Sequence, residues 1–364
     1  MKQTERLQYH FEPIKGWIND PNGLVYYKGE YHVFAQHNPY APKWGQMHWL
    51  HATSKDLINF QEKPIALYPD MPYENKGGCY SGSAIVKDDR LYLFYTSVSK
   101  ALGQTQSMAY SDDGVTFHKY EGNPIIRRNP VGTMNNFRDP KVEYINGHYY
   151  MVTGSDSKGM PKGKVLLFRS DDLINWEYVN TIYESRRYIP CIECPDLFEL
   201  GSKFCLMFSR MGLPRNSTKF ILGDFNGKEF IHEEEQIIET GPDFYAPQSF
   251  KDDKQRRIII GWLWHWGKQK RKGSTYAGAL TIPRELTQKD GKLYNFPVEE
   301  AQNLLVTEDD LLKINGNTIE LYTKRGKLIK LQTDTINDIN ILKDTHTMEV
   351  FINKGEYSVT YWFE

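Results

Sequence analysis

Three acidic residues stand in segments that proline makes rigid. Asp20 and Asp139 are each followed directly by proline, and Glu193 lies two residues before Pro195. Proline fixes its own φ angle and restricts the residue before it, so these carboxyl groups are presented on a constrained backbone. Two carboxyl groups that flank a glycosidic bond can hydrolyse it, one ionised as the nucleophile and one protonated as the acid. An isolated Asp-Pro-Asn-Gly segment, as at Asp20, is also typical of a turn whose Asp side chain caps its own backbone.

The elements that carry these acids are predicted to be strands. From about residue 24 to 298 the chain consists of short apolar segments with alternating polar residues, such as 31–35 and 90–95, separated by turns. This pattern predicts an all-β domain, because helical periodicity is almost absent.

A repeated corner indicates how the strands are grouped. The motif Ser-x-Asp-x-x-x-aromatic begins at Ser54, Ser111 and Ser170, at intervals of about 58 residues, slightly longer than common propeller repeats. The Ser and Asp side chains are expected to bind the turn backbone and the aromatic ring to pack on the blade edge, so the corners carry no chemistry. Four strands per unit predict a five-bladed β-propeller, with units that begin near Asn19, Tyr80, Phe137, Ile192 and Phe244.

Such a propeller would bring the three acids together. The first strand of each blade lines the central axis, so residues at blade starts converge on one cavity. Repulsion among Asp20, Asp139 and Glu193 is expected to separate their pKa values, as distinct acid and base roles require. Arg138 is expected to keep Asp139 ionised. The alternative is a set of solvated or salt-bridged carboxylates at the mouth of a propeller.

The motifs around the acids resemble the three hallmark motifs of glycoside hydrolase family 32, the family of invertases and fructosidases. They are Trp-Ile-Asn-Asp-Pro-Asn-Gly at 17–23, Phe-Arg-Asp-Pro at 137–140 and Glu-Cys-Pro-Asp at 193–196. Further segments are similar to family motifs and follow the family's order, at 36–39, 44–49, 80–83, 243–248 and 282–286. The resemblance implies a five-bladed propeller with an appended sandwich that hydrolyses terminal β-fructofuranosides such as sucrose with retention of configuration.

The resemblance also implies a role for each matching residue. Asp20 would be the nucleophile, Glu193 the general acid/base and Asp139 the stabiliser of the transition state. Cys194 is expected to be a packed neighbour that tunes Glu193 and not a nucleophile. The pair Cys191-Ile192 stands before the Glu-Cys-Pro-Asp motif, where the family often has Trp, and this difference is expected to alter the leaving-group side. The residues implied to line the fructose subsite are Asn19, Gln36, Trp44, Tyr80, Ser81 and Arg138.

The chain is expected to divide into two parts. Residues 1–300 are predicted to form the five-bladed propeller catalytic domain and residues 301–364 a truncated C-terminal β-sandwich-like region. A short helix or linker is expected at 299–312. The apolar run at 361–363 is expected to pack against the propeller or a partner.

Composition excludes several classes of function. The 364 residues carry a formal net charge of -1, so no overall field recruits nucleic acid or an anionic membrane. The aromatic content of 14% suits sheets and sugar-binding pockets. The four cysteines lack the spacing of a disulfide framework, so free thiols are expected. A polar N-terminus and the lack of a long apolar segment predict a soluble cytoplasmic protein without a membrane span, whose oligomeric state stays open.

No cofactor and no metal are expected. His48 and His51 have the spacing of a helical zinc pair, but a strand places them on opposite faces. No phosphate loop of the Walker type is present.

The basic run Lys-Gln-Lys-Arg-Lys at 268–272 has two interpretations. It is a solvated loop, or it binds the phosphate of sucrose 6-phosphate at the rim of the pocket. The function therefore expected is hydrolysis of sucrose or sucrose 6-phosphate, a small-molecule saccharide. The alternatives are an exo-acting fructanase on short inulin or levan chains, a non-catalytic fructan-binding propeller and a scaffold for protein partners.

Overall fold

The computed structural model describes residues 6–159, 162–186, 188–213, 217–263 and 274–364. Within these ranges the regular structure is strand, apart from short 3-10 helices at Pro72–Glu74 and Glu299–Leu304. The predicted all-β class is confirmed. None of the helices in the described part of the chain has the length and apolar character needed to cross a membrane.

Five sheets of the described chain are blades, each running in chain order from an inner to an outer strand. Blade 1 contains β1 (Gly16–Tyr27), β2 (Glu30–Asn38), β3 (His48–Ser54) and β4 (Gln61–Glu62). Blade 2 contains β5 (Gly78–Lys87), β6 (Arg90–Ser99), β7 (Gly103–Ser111) and β8 (His118–Lys119). Blade 3 contains β9 (Phe137–Ile145), β10 (His148–Ser155), β11 (Lys164–Ser170) and β12 (Glu177–Glu184). Blade 4 contains β13 (Ile192–Leu200), β14 (Lys203–Arg210), β15 (Thr218–Phe225) and β16 (Phe230–Gln236). Blade 5 contains β17 (Tyr245–Lys251), β18 (Arg257–Trp262), β20 (Arg284–Lys289) and β21 (Lys292–Pro297).

The inner strands close into a ring. Strands β1, β5, β9, β13 and β17 contact one another in that order, and β17 returns to β1. A short strand from the blade 5 region, β19 (Tyr276–Ala277), pairs in parallel with β1 at Gly16 and Trp17. Gln248 crosses the axis, because its side chain donates to Gly82 O (2.8 Å) and accepts from Leu24 N (3.2 Å). The predicted five-bladed propeller is confirmed, and its first strands surround the axis.

The repeated corners behave as the sequence indicates. Asp172 Oδ1 accepts hydrogen bonds from the backbone N–H groups of Ile174 and Asn175, both at 2.8 Å, and from Ser170 Oγ at 3.0 Å. Trp176 closes the corner by donating to Leu173 O (2.9 Å). The corners that follow Ser54 and Ser111 repeat this pattern.

The C-terminal region forms two three-stranded sheets, consistent with the predicted sandwich. One contains β22 (Leu312–Asn315), β23 (Thr318–Thr323) and β24 (Gly326–Gln332), and the other contains β25 (Ile339–Lys343), β26 (Thr347–Ile352) and β27 (Tyr357–Trp362). They share an apolar core that includes Ile319, Val350 and Tyr361. Trp362 packs on the propeller, where its indole N–H donates to Leu263 O (3.0 Å). The division of the chain at residue 300 stays a prediction.

Candidate functional site

One cavity at the mouth of the propeller axis collects most of the predicted site residues. Its volume is about 800 Å³. Every predicted site residue except Ser81 lines it, namely Asn19, Asp20, Gln36, Trp44, Tyr80, Arg138, Asp139 and Glu193. Ser81 lies directly behind the cavity wall, buried against Asp20. Sequence reasoning missed five other lining residues, which are Gln104, Met211, Gly212, Leu213 and Tyr245.

The acids reach the cavity from the inner strands of three blades. Asp20 lies in β1, Asp139 near the start of β9 and Glu193 near the start of β13. The register of β13 against β14 shifts between Glu193 and Asp196, which marks a β-bulge. Similar shifts occur in blade 3 opposite Asp139 and in blade 5 just after Tyr245. The bulges turn side chains at the strand starts toward the axis.

The residue before proline is strained in three of these bulges. Asp139, Cys194 and Ala246 have φ angles of 61°, 48° and 49°. Residues with side chains rarely occupy this left-handed region, and a following proline disfavours helical geometry further. Strain of this kind persists only where the surrounding structure enforces it, and it clusters at functional sites. Hydrogen bonds enforce it here, because Asp139 N donates to Thr96 Oγ1 (2.9 Å) and Ala246 N to Ser209 Oγ (3.0 Å).

Donors converge on one oxygen of Asp20. Its Oδ2 accepts from Ser81 Oγ (2.6 Å), Gln36 Nε2 (3.0 Å) and Cys194 Sγ (3.6 Å). Burial raises the pKa of Asp20 above its ordinary value, the Ser81 hydrogen bond opposes this rise, and the charge of Glu193 adds to it. The hydrogen bonds thereby fix the carboxyl group in position, while burial and the charge of Glu193 favour its protonated form.

Asp139 is bound to the strand that carries Glu193. Its Oδ2 accepts from Cys194 N (2.8 Å) and Cys194 Sγ (3.6 Å). Burial raises the pKa of Asp139 to about 7, with Arg138 opposing the rise and Asp20 adding to it. Arg138 favours the ionised form of Asp139, as expected of a neighbouring guanidinium, but burial outweighs it and leaves the pKa above its ordinary value.

Cys194 lies between the two aspartates, and the structure places its thiol against them. Burial raises the pKa of this thiol well above its ordinary value, and the negative charge of Asp20 adds to the rise. The group therefore remains a neutral donor, which agrees with the interpretation that it is not a nucleophile.

Glu193 is held between a phenol and a guanidinium. Tyr245 donates its hydroxyl hydrogen to Oε2 of Glu193 at 2.5 Å, and Arg138 Nε lies 3.4 Å from Oε1. Arg138 is itself fixed by Gln104 Oε1 and Asn136 Oδ1, both at 3.0 Å. Burial raises the pKa of Tyr245 well above its ordinary value and the charge of Glu193 adds to the rise, so the phenol stays a donor.

Aromatic rings form the outer wall of the cavity. Trp44 is 42% exposed at the rim and meets the Tyr80 ring edge-on at a centroid distance of 6.0 Å. Deeper in, the Trp17 indole donates to Asn19 Oδ1 (2.8 Å) and orients that amide. Such faces suit the apolar side of a sugar ring, while the amides suit its hydroxyls.

Two further expectations from the sequence concern Ile192 and the basic run at 268–272. Ile192 is fully buried in the core shared by blades 3 and 4 and is not among the described residues that line the cavity. The basic run at 268–272 lies outside the described residues. In the described part of the lining, Arg138 is the only lysine or arginine. Among the described residues, no three His, Cys, Asp or Glu side chains are grouped so that they could hold a metal ion.

Comparison with known sequences identifies the family. Residues 10–297 match the Glycosyl hydrolases family 32 N-terminal domain. The chain belongs to glycosyl hydrolase family 32. Within this family it is similar to the sucrose-6-phosphate hydrolase of Zymomonas mobilis, with 38% identity over 82% of this chain and 63% of the relative. The sucrose-6-phosphate hydrolase of Bacillus subtilis is 34% identical over 95% of this chain and 74% of its own length.

A solved family 32 structure has the same fold. The β-fructofuranosidase of Bombyx mori superposes with a TM-score of 0.85 at 31% identity, covering 98% of this chain and 89% of the Bombyx chain. This chain thus spans nearly all of one solved family 32 structure but about 63% of the Zymomonas relative's length.

Proposed function

We propose that the protein is a retaining glycoside hydrolase that cleaves terminal β-D-fructofuranosides, with sucrose or sucrose 6-phosphate as substrate. The observation that carries the proposal is the meeting of Asp20, Asp139 and Glu193 in one cavity, where hydrogen-bond donors hold each carboxyl group in place. A mutant of the Bombyx mori relative has been solved in complex with sucrose, which supports a saccharide ligand.

In the proposed mechanism Asp20 is the nucleophile. Its carboxylate attacks the anomeric carbon of the fructosyl group while Glu193 transfers its proton to the leaving oxygen, so glucose departs and a fructosyl ester forms on Asp20. Glu193, now ionised, removes a proton from a water molecule that attacks the same carbon. The ester bond breaks, fructose leaves with retained configuration, and both carboxyl groups return to their starting states.

The remaining residues are assigned to binding. Asp139 accepts hydrogen bonds from fructose hydroxyls and stabilises the positive charge of the transition state. Arg138, the amides of Asn19 and Gln36 and the hydroxyl of Ser81 orient the sugar or the nucleophile. The rings of Trp44 and Tyr80 form the apolar wall.

We further propose that residues 1–300 form the catalytic propeller and residues 301–364 the sandwich-like region. A cytoplasmic location is part of the same proposal, because sugars phosphorylated during uptake are released inside the cell.

Arg138 is the only lysine or arginine in the described wall of the cavity, and Glu193 and Gln104 already engage it. The described wall therefore has no second such side chain that could bind a phosphate group. The choice between plain and phosphorylated sucrose therefore needs a direct assay.

The test measures initial rates of glucose and glucose 6-phosphate release from the two sugars in parallel. Asp20→Asn is expected to lower kcat/KM by about 10⁴-fold, because an amide cannot attack the anomeric carbon. Asp171→Asn, at an exposed corner of blade 3, is the matched control and is expected to retain full activity. The ratio of the two wild-type kcat/KM values names the preferred sugar.

Other outcomes would contradict the proposal. Full activity of Asp20→Asn would remove Asp20 from the nucleophile role. Fructose release from inulin or levan oligomers alone would favour the exo-fructanase. Binding of fructans without any turnover would favour a non-catalytic propeller.

A further inference from the structure

The segment between blades 4 and 5 is paired with the last strand of the chain. It covers residues 237–244, from the end of β16 to the start of β17. Ser358 N donates to Ile238 O (2.7 Å), Thr240 N to Ser358 O (2.9 Å) and Asp243 N to Thr360 O (3.2 Å). Strand β27 therefore supports a connection that belongs to the propeller.

Two buried carboxylates of this segment strengthen the pairing. Glu239 Oε1 accepts from Gly241 N (2.8 Å) and Thr360 N (3.0 Å), and Oε2 accepts from Arg284 (2.8 Å). Asp243 is fully buried, and its Oδ2 accepts from Trp362 N (2.9 Å). A backbone N–H bonded to a carboxylate is a strong, charge-assisted contact, so the register between the segment and β27 is closely defined.

Gly241 marks the closest approach of the two backbones. A Cβ atom at this position would lie 2.2 Å from both Thr360 N and Thr360 O. The contact therefore requires glycine, and any side chain at position 241 must push β27 and the segment apart.

The segment ends at the residue that touches the proposed acid/base. Tyr245 follows Asp243 by two residues, and its hydroxyl lies 2.5 Å from Glu193 Oε2. Between them, the Phe244 ring lies 5.1 Å from the guanidinium carbon of Arg284. Only Phe244 separates Asp243 from Tyr245, so a displacement of Asp243 is expected to move the phenol as well. Misplacement of a catalytic contact by about 1 Å can cost about 100-fold in rate.

We propose that strand β27 is a positioning element for catalysis, which sets the contact between Tyr245 and Glu193 through the segment 237–244. The inference rests on the proposed function and extends it. The C-terminal sheets then do more than stabilise the protein: Asp243, Glu239 and Gly241 act on proton transfer to the leaving group through Tyr245, although none of them lines the cavity.

The test compares two substrates in Asp243→Ala. Sucrose needs a proton on its leaving oxygen, whereas 4-nitrophenyl β-D-fructofuranoside releases a phenolate that needs little help. Asp243→Ala is expected to lower kcat/KM about 10- to 100-fold for sucrose and less than about threefold for the nitrophenyl fructoside. Asp243→Asn retains an oxygen that can accept from Trp362 N and is expected to restore most of the sucrose activity. An equal loss on both substrates would overturn the proposal.

A double-mutant cycle tests the route through Tyr245. Tyr245→Phe is expected to lower kcat/KM for sucrose but not for the nitrophenyl fructoside. Adding Asp243→Ala to Tyr245→Phe should then leave the ratio of the two kcat/KM values as it is in Tyr245→Phe alone. Additive effects on this ratio would also overturn the proposal. Val350→Ala, in the core of the C-terminal sheets, is the control for lost stability, and it should lower Tm while leaving the ratio unchanged.

A spectroscopic measurement decides the case without turnover. In protein labelled with ¹³C at the tyrosine Cζ atom, the resonance missing from Tyr245→Phe reports the hydrogen bond of Tyr245. This resonance is expected to move in Asp243→Ala, or in Gly241→Ala if the first variant does not fold, and to stay in place in Val350→Ala. An unmoved resonance refutes the positioning role. A wild type that cleaves neither sugar refutes the proposed function, while the resonance still decides the role of β27.

Discussion

Asp20 and Asp139 are buried carboxyl groups that share Cys194 as a hydrogen-bond donor. Burial raises both pKa values, and in the case of Asp139 to about 7. A nucleophile must be ionised, so activity is expected to be lost as the pH falls through the pKa of Asp20. Because that pKa is raised, the acid limb of the rate profile should lie above the range of an ordinary aspartate.

Glu193→Gln tests this electrostatic account. The charge of Glu193 raises the pKa of Asp20, so its removal should shift the acid limb of kcat/KM to lower pH. The profile is measured with 4-nitrophenyl β-D-fructofuranoside, whose leaving group departs without the acid, whereas sucrose cleavage should fall by about 10² to 10⁴. Glu199→Gln, exposed on the same strand, is the control. An unshifted acid limb in Glu193→Gln would contradict the account.

The sequence predicted the positions of the three acids better than their pKa values. Proline-flanked acids and their motifs were enough to predict the group that lines the cavity, since each lies at the start of an inner strand. The rise in the pKa of Asp139 was not predicted, because a sequence shows the neighbouring Arg138 but not the loss of water around both groups. Tyr245 was missed although its segment resembles a family motif, since only the fold brings blade 5 against Glu193.

Among the elements, the corner after the third strand of a blade is the feature that the sequence repeats most clearly. In blade 3 the corner follows β11 and lies at the end of the blade opposite to the cavity. Strand β10 shows this, because its Ser155 pairs with Phe137 at the cavity end and its Tyr149 pairs with Ser170, where the corner begins. The spacing of the corners predicted a propeller-like repeat, and the count of unit starts gave the number of blades. The strained bulges at 139, 194 and 246 could not be predicted, because proline disfavours the geometry that tertiary hydrogen bonds impose there.

Asp172→Ala tests the structural role of the corner. Hydrogen bonds from Asn175 and Ile174 outweigh burial and lower the pKa of Asp172 to about 2, so the group is an ionised acceptor at neutral pH. Its loss is expected to lower the free energy of unfolding by about 1 to 2 kcal/mol, as for a helix cap. Urea denaturation gives this value, and kcat/KM should not change. Asp171→Ala, which removes an exposed pair with His148, should change stability by less than about 0.5 kcal/mol. Equal effects of the two variants would contradict the assigned role.

A buried ionic cluster joins the propeller to the C-terminal sheets. Arg284 is fully buried and binds Glu349 (2.7 Å) and Glu239 (2.8 Å). Glu349 also contacts His10 Nε2 (2.8 Å), and Asp344 contacts His10 Nδ1 (2.8 Å). The cluster joins the N-terminal segment, blade 5 and strand β26. In the sequence Arg284 stands out only as part of a family-like segment, because its ionic partners Glu239 and Glu349 lie 45 and 65 residues away.

Buried histidines of opposite behaviour contribute to the pH dependence of stability. Burial alone would lower the pKa of His10, but Asp344 and Glu349 raise it to about 9. The contribution of His10 to the free energy of unfolding is fully present below about pH 6.5, the pKa of histidine in the unfolded chain, and is lost as the pH rises through about 9. Burial lowers the pKa of His32 to about 4 and of His51 to about 2. Their contributions are present above about 6.5 and are lost as the pH falls below it, because the unfolded chain then binds protons that the folded chain excludes.

His51→Gln tests the acid side of this balance. His51 is fully buried, stacks on Phe34 at 4.4 Å and lies 3.0 Å from His32. Below pH 6.5 a histidine that stays neutral in the folded state contributes a slope approaching about 1.4 kcal/mol per pH unit to the free energy of unfolding. Urea denaturation at pH 7, 6 and 5 should therefore give a lower stability for His51→Gln at pH 7 but a shallower fall toward pH 5. His118→Gln, at an exposed position in β8, is the control and should keep the wild-type slope. Parallel curves for wild type and His51→Gln would show that other groups cause the acid sensitivity.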